Sequence, residues 1–398
     1  MVREIIRKLC INNECLYNKC TVLYDYCIGK IIKLFWLFGV KKKIIFISYY
    51  GKGLECNPKY IFNEIIKRNY DYEIYWATSA RISDFTENAK VHNVIFRSLM
   101  FYYHLATSKL LISNVRMAGI WPKRKEQLYI QTWHAGIGLK KVEADVIEHL
   151  PQVYVRRAMY DASVTDLMIS NSTWETNIYR KAFWYKGEIL ECGLPREDIF
   201  AVPSIEIKNK VLDFYKLNAK KIHLLLYAPT FRVDGNMECY DIDFNKLLNE
   251  LINKWGGTWK ILVRLHPNIQ KKQDKIRYDD NILNGSQYED INDLIIASDV
   301  IISDYSSCMF DGMLAQKKVL LYASDIDAYN KDRGTAFKFE ELPFPLATTN
   351  DELTNIIKNF DEGAYAIRCD AFKDKVGFFE LGNASRKVVD WIESKLGL

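Results

Sequence analysis

The side chains best suited to chemistry in this 398-residue chain follow short apolar runs and sit beside small residues. In QTWHAGIGLKK, His134 is an imidazole that titrates near neutral pH and suits removal of a proton from a hydroxyl nucleophile. Gly136 and Gly138 let backbone N–H groups approach an anion, and Lys140 and Lys141 add positive charge. A structural histidine in a tight turn is the competing reading. In ILVRLHPN, Arg264 and His266 are two residues apart and share one face of a strand. A guanidinium beside an imidazole suits a pyrophosphate, whose charge must be neutralised as the leaving group departs. YAPTFR offers Thr230 and Arg232 at another strand end. ISDYSSCMFD runs from Asp304 into a helix start at Ser306 and Ser307, which presents free N–H groups to phosphate or is plainly N-capped. Asp311 reads as a ribose contact or as a solvated helix residue. YYGKGLECNPKY carries Gly51, Gly53 and Asn57 without a GxGxxG dinucleotide fingerprint, and GLPRED carries Arg196.

These segments need rigid elements behind them. From residue 44, strand-like runs at 44–49, 73–78, 110–114, 128–132, 167–170 and 188–192 alternate with helical patterns at 58–68, 99–108, 151–162 and 172–184. Ser172 with Glu175 spells a capping box. The second half repeats the alternation, with strands at 223–228, 259–265, 300–303 and 319–322 and helices at 244–255, 291–297 and 306–315. The stretch 201–209 reads as a linker, and a last helix at 384–396 has Asn383 or Ser385 as its cap. The pattern predicts α/β architecture: two Rossmann-like lobes with a cleft between them, over 44–202 and 203–398, with ligands at the carboxyl ends of parallel strands.

Composition narrows the function class. Apolar residues make up 49%, enough for two cores, and the net charge is +5. Residues 1–43 hold nine basic side chains against three acidic ones, so this segment carries +6 and the remainder −1. That distribution argues against a nucleic-acid-binding face on the folded body. The apolar run IGKIIKLFWLFGV at 28–40, followed by Lys41, Lys42 and Lys43, is too short to span a bilayer. It reads as a peripheral anchor on an anionic membrane, or else as a helix docked through Leu34, Phe35, Leu37 and Phe38. No Cys-x-x-Cys pair with zinc spacing occurs, and no compact carboxylate cluster marks a metal site.

In order along the chain, GKGLECNPKY, LLISN, QTWHAGIGLKK, ISNSTWETNIYRKAF, GLPREDI, YAPTFR, VRLHP and SDYSSCMFD resemble the CDP-glycerol glycerophosphotransferase family of teichoic-acid and capsule biosynthesis. The resemblance implies a GT-B fold with the nucleotide mostly on the second lobe. It places the family's essential histidines on His134 and His266, and CDP contacts on Arg264, Asp304 and Ser306; Thr230, Arg232, Ser307 and Asp311 join that group. Gly51, Asn57, Gly136, Lys140 and Arg196 form an acceptor-side group. The implied reaction is attack by an acceptor hydroxyl on the polyol-bearing phosphate of CDP-glycerol or CDP-ribitol, with CMP leaving. No tightly bound cofactor is implied, and Mg²⁺ stays open. A lipid-linked glycan acceptor, the cytoplasmic face of the bacterial membrane and no nucleic-acid partner follow. Trp133 to Ile137 read Trp-His-Ala-Gly-Ile where many members have Trp-His-Gly-Thr-Pro, and Cys56 replaces a common acidic residue. Without the large N-terminal module of long polymerases, one or few transfers are expected. The alternatives are a GT-B sugar-nucleotide glycosyltransferase or epimerase, and an inactive membrane scaffold.

Overall fold

Seven short runs of the first half pair into one wholly parallel sheet in the computed structural model: β1 (Lys41–Ile47), β2 (Glu73–Thr78), β3 (Val91–Ile95), β4 (Ser108–Ser113), β5 (Leu128–Gln131), β6 (Leu167–Ser170) and β7 (Glu188–Glu191). Their order is β3-β2-β1-β4-β5-β6-β7. Residues 13–81, 88–117, 119, 121–202, 204–217, 222–232, 240–266, 276–326 and 334–397 are described. The chain divides into two units. Met1–Gly136, Val142–Asp198 and Phe379–Leu398 form the first, and Ile137–Lys141 with Ile199–Phe378 the second.

In the first unit the central strands are buried on both faces, as parallel sheets require. Ile44 and Phe46 point to a core shared with Ile61, Trp76, Val388 and Ile392. Ile45 and Ile47 alternate to the other side and pack with Phe101, Leu105 and Tyr129. Helices Cys56–Arg68, Leu99–Thr107, Gln152–Val164 and Thr173–Ala182 cover the sheet. Half of the expected capping box forms: Glu175 N–H donates to Ser172 Oγ at 3.1 Å, but the Glu175 carboxylate accepts from Asn171 N–H at 2.7 Å, one residue before the cap. Strand β3 escaped the sequence pattern because His92 and Asn93 interrupt its apolar run.

The N-terminal segment is built into this unit. Helix Glu14–Leu34 buries Ile32 completely, with Ile28, Phe35 and Trp36 packed around it. Its buried Asp25 accepts from Arg157 at 2.8 and 2.9 Å. The expected docking residues divide. The Phe35 and Phe38 rings meet Tyr103 at 5.6 and 5.5 Å, whereas Leu34 and Leu37 are 65% and 87% exposed. Lys43, counted with the surface charge of the segment, is instead buried with Nζ 3.4 Å from His104 Nδ1, and burial lowers its pKa.

The second unit holds a parallel sheet of β8 (Ile222–Tyr227), β9 (Thr258–Val263), β10 (Ile282–Asn284), β11 (Val300–Ser303), β12 (Lys318–Tyr322) and β13 (Leu346–Ala347), in the order β10-β9-β8-β11-β12-β13. The linker expected at 201–209 is largely helical: Ser204 caps helix Ile205–Phe214 by accepting from Ile207 N–H at 3.2 Å, and the lone Pro203 had masked the pattern. The last helix, Ala384–Leu396, groups with the first unit. Asn383 stands at its N-cap position, one of the two expected, but makes no side-chain capping bond; the free N–H groups at Ala384 and Ser385 go instead to the Asp198 carboxylate at 2.9 and 2.8 Å. The chain thus adopts the two-lobed α/β architecture of the GT-B class. Among the described residues no helix is long and apolar enough to cross a membrane.

Candidate active site

His134 stands two residues beyond Thr132, at the carboxyl end of β5. Its Nδ1 lies 2.9 Å from the Asn114 carbonyl oxygen, at the end of neighbouring β4. A carbonyl only accepts, so Nδ1 carries the proton and Nε2 holds the lone pair. Burial, reinforced by the Arg196 guanidinium, holds the imidazole below its usual pKa against the opposing pull of the Asn114 carbonyl. The ring is therefore a neutral base at neutral pH. Trp133 lies against it at 4.4 Å between centroids, and Tyr49 meets it edge-on at 5.7 Å.

The backbone around this ring is held in conformations that side-chain-bearing residues avoid. Tyr49, Tyr50, Cys56 and Trp133 have φ of 44°, 60°, 61° and 51°. Each costs on the order of 1–3 kcal/mol and persists only where surroundings enforce it. The enforcing bonds are visible. Asn114 Oδ1 accepts from Tyr49 N–H at 2.9 Å, and Gln131 Oε1 from Trp133 N–H at 3.0 Å. Behind Trp133, buried Arg116 pairs with Asp161 and Glu143 at 3.2 and 3.4 Å and faces the Trp133 ring at 5.9 Å. A second buried cluster joins Asn171 to Glu197 at 2.9 Å. Within it Glu175 accepts from Tyr179 Oη at 2.5 Å, and burial pushes its carboxyl up to about 8.

The acceptor-side group expected from sequence is mostly internal. Gly51, at φ 89°, is buried where a Cβ would meet Phe96 and the Thr78–Ser79 backbone at 3.0 Å, so it serves a close approach. Asn57 is fully buried and spends its amide on the Thr132 and Trp133 carbonyls at 3.2 and 3.1 Å and on Arg196 N–H at 3.0 Å. Gly136 is half-buried, and a Cβ there would lie 2.0 Å from Asn171 Nδ2, so the close approach of Asn171 requires a glycine. Arg196 is buried, near enough to depress His134. Lys140 belongs to the second unit, in an antiparallel bridge with Thr335.

In the second unit the named residues gather at strand ends. Asp304, after β11, accepts from Thr230 and Tyr305 N–H at 2.8 and 2.6 Å and pairs with Arg232 at 2.9 Å. Burial pushes the Asp304 carboxyl up against these partners. Arg232 also forks onto Asp325 at 2.6 and 3.0 Å, and Tyr305 Oη donates to Asp325 at 2.9 Å. Two carboxylates thus meet Arg232, one of the two guanidiniums expected on the nucleotide side. Thr230 is buried rather than displayed. Arg264 donates to the Gly285, Tyr288 and Glu289 carbonyls at 3.1, 2.6 and 3.1 Å, bracing the turn that leads into helix Ile291–Ala297. His266 lies 4.6 Å from the Phe231 ring and is half-buried. Ser306 and Ser307, also half-buried, precede helix Cys308–Leu314, and Ser306 Oγ accepts from Cys308 N–H at 3.4 Å. Asp311 is buried, so it is not the solvated residue considered from sequence.

Asn114, Gln131, Asn171 and Asp325 were missed as site residues, although each ends an apolar strand run with a buried or partly buried polar group. Among the described residues no three His, Cys, Asp or Glu side chains converge to hold a metal.

The family model described as CDP-glycerol:poly(glycerophosphate) glycerophosphotransferase matches residues 32–394. The teichoic acid poly(glycerol phosphate) polymerase of Bacillus spizizenii is 32% identical over 366 residues, covering 88% of this chain and 91% of that protein. The polymerase of the same description from Bacillus subtilis is 30% identical over 94% of this chain but 52% of its own length. The solved wall teichoic acid polymerase TagF superposes with a TM-score of 0.79 at 29% identity, over 96% of this chain and 97% of that one. With its model matched over nearly the whole chain and its relatives alike in sequence and fold, the chain belongs to the CDP-glycerol:poly(glycerophosphate) glycerophosphotransferase family.

Proposed function

We propose that this transferase moves glycerol phosphate from CDP-glycerol onto a hydroxyl of a lipid-linked glycan or polymer in teichoic-acid synthesis. The acceptor oxygen bonds to the glycerol-bearing phosphorus, the bond from that phosphorus to the CMP oxygen breaks, and the hydroxyl proton passes to His134 Nε2. The observation that carries this reading is the neutral His134 ring, fixed as the Nδ1–H tautomer by Asn114. His266, Arg264, Ser306 and Ser307 are the nucleotide side of the proposal, with Asp304 and Arg232 holding the strand ends beneath them. A TagF variant soaked with CDPG is among the similar solved structures, which supports the same donor class here.

The same proposal places the enzyme peripherally on the cytoplasmic face of the membrane. Leu34, Leu37 and Phe38 are exposed beside Lys30, Lys33, Lys41 and Lys42, a surface that combines insertion with attraction to anionic lipid. The test of the donor is turnover by the purified chain with a synthetic alkyl-lipid-linked glycerol phosphate acceptor, read as CMP release from CDP-glycerol or CDP-ribitol and as UDP release from, or conversion of, a UDP-sugar. Turnover of the UDP-sugar with none from either CDP-polyol would overturn the reading in favour of a glycosyltransferase or epimerase.

A further inference from the structure

We infer that Asn57 is a positioning residue for the reaction, acting through His134 rather than touching acceptor or donor. The inference rests on His134 being the base. The Asn57 side chain is 0% exposed, so no substrate reaches it. Its Nδ2 donates to two successive carbonyls, Thr132 at 3.2 Å and Trp133 at 3.1 Å, which are the two peptide units leading into His134. Its Oδ1 accepts from Arg196 N–H at 3.0 Å. One amide thus ties the β5 exit to the segment that carries the Arg196 charge.

The geometry of the turn explains why an amide is needed. Trp133 is left-handed at φ 51°, which turns the Thr132 and Trp133 carbonyls toward the same donor. A side chain with two N–H hydrogens on one nitrogen serves both, and its oxygen serves the 3-10 helix Pro195–Phe200 that follows β7. Aspartate has the shape without the donors, and serine has one donor and less reach. The neighbouring Cys56 Sγ, 4.0 Å from the His134 carbonyl oxygen, is a weak contact that does not replace these bonds. The predicted consequence of loosening the turn is a His134 ring that no longer meets the acceptor hydroxyl in line, with nucleotide binding untouched, because every partner of Asn57 lies in the first unit.

The test is a double-mutant cycle on CMP release from CDP-glycerol, using full-length protein and the synthetic alkyl-lipid-linked glycerol phosphate acceptor. Asn57→Ser is expected to lower kcat by ~10-fold or more with KM for CDP-glycerol within about twofold. In the His134→Ala background the same substitution is expected to change kcat by less than about twofold, since the base it positions is gone. Asn57→Asp, which keeps the volume and the acceptor for Arg196 N–H, carries the same cycle if Asn57→Ser does not fold. A loss undiminished in the His134→Ala background overturns the positioning role while leaving the base reading intact. An unchanged kcat in Asn57→Ser overturns it as well. If His134→Ala alone retains full turnover, the base reading falls and this inference falls with it.

Discussion

His134 Nδ1 and the Asn114 carbonyl oxygen are 2.9 Å apart, and this bond joins the ends of two adjacent parallel strands. It does three things at once. It selects the tautomer, it aims Nε2 away from the β4 exit, and it leaves the ring with no carboxylate partner in that bond to raise its basicity. Burial and Arg196 then lower the pKa. The outcome is a base that is already deprotonated at the working pH.

The pH dependence of turnover follows. As pH falls through the folded pKa of His134 the base is protonated and activity is lost, so the acid limb of kcat/KM lies below the ordinary value of 6.5. Arg196→Met removes a cation that depresses this pKa, so the limb moves upward. Tyr49, whose phenol burial pushes well up, stays uncharged through that range. A pH–rate profile of both proteins checks the direction, and a limb that moves downward in Arg196→Met would contradict the electrostatics.

Glu175 makes an independent prediction about stability. Its folded pKa of about 8 lies above the usual carboxylate value because of burial. Its contribution to stability is therefore complete below the unfolded pKa and is lost as pH rises through about 8. Glu175→Gln mimics the protonated side chain. Its melting temperature relative to the parent should rise between pH 5 and pH 9, as read by calorimetry at a series of pH values. A constant difference across that range would show that Glu175 does not titrate there.

The membrane surface is testable without deleting the N-terminal helix, which would uncover Ile32 and the Asp25–Arg157 pair. Leu37 and Phe38 are exposed, so Leu37→Glu with Phe38→Glu leaves the core intact. Flotation with anionic vesicles should fall in this variant, and high salt should weaken the parent only partly, since apolar insertion is not screened. Equal flotation of parent and variant would move the contact elsewhere on the protein.

Much of the fold was legible because parallel strands buried on both faces are near-continuous apolar runs, as in Ile44–Ile47 and Val300–Ser303. Strand β3, with His92 and Asn93, and the two-residue β13 lack that signal and depend on neighbours already in place. The site was legible only in part. Motif spacing located His134, yet sequence has no means of telling a displayed polar group from one turned inward. Asn57, Gly51 and Asp311 therefore read as contacts, and the fold buries all three. Arg232 read as a nucleotide-side residue with no visible partner, because Asp325, 93 residues away, is brought to it only by the fold.

The most direct measurement is CMP release from CDP-glycerol by His134→Ala, made alongside calorimetric titration of CDP. Turnover is expected to fall by ~10²-fold or more while CDP affinity stays within about twofold of the parent, because His134 and the proposed nucleotide residues lie in different units. Turnover equal to the parent would contradict the assignment of His134, and with it the proposed mechanism.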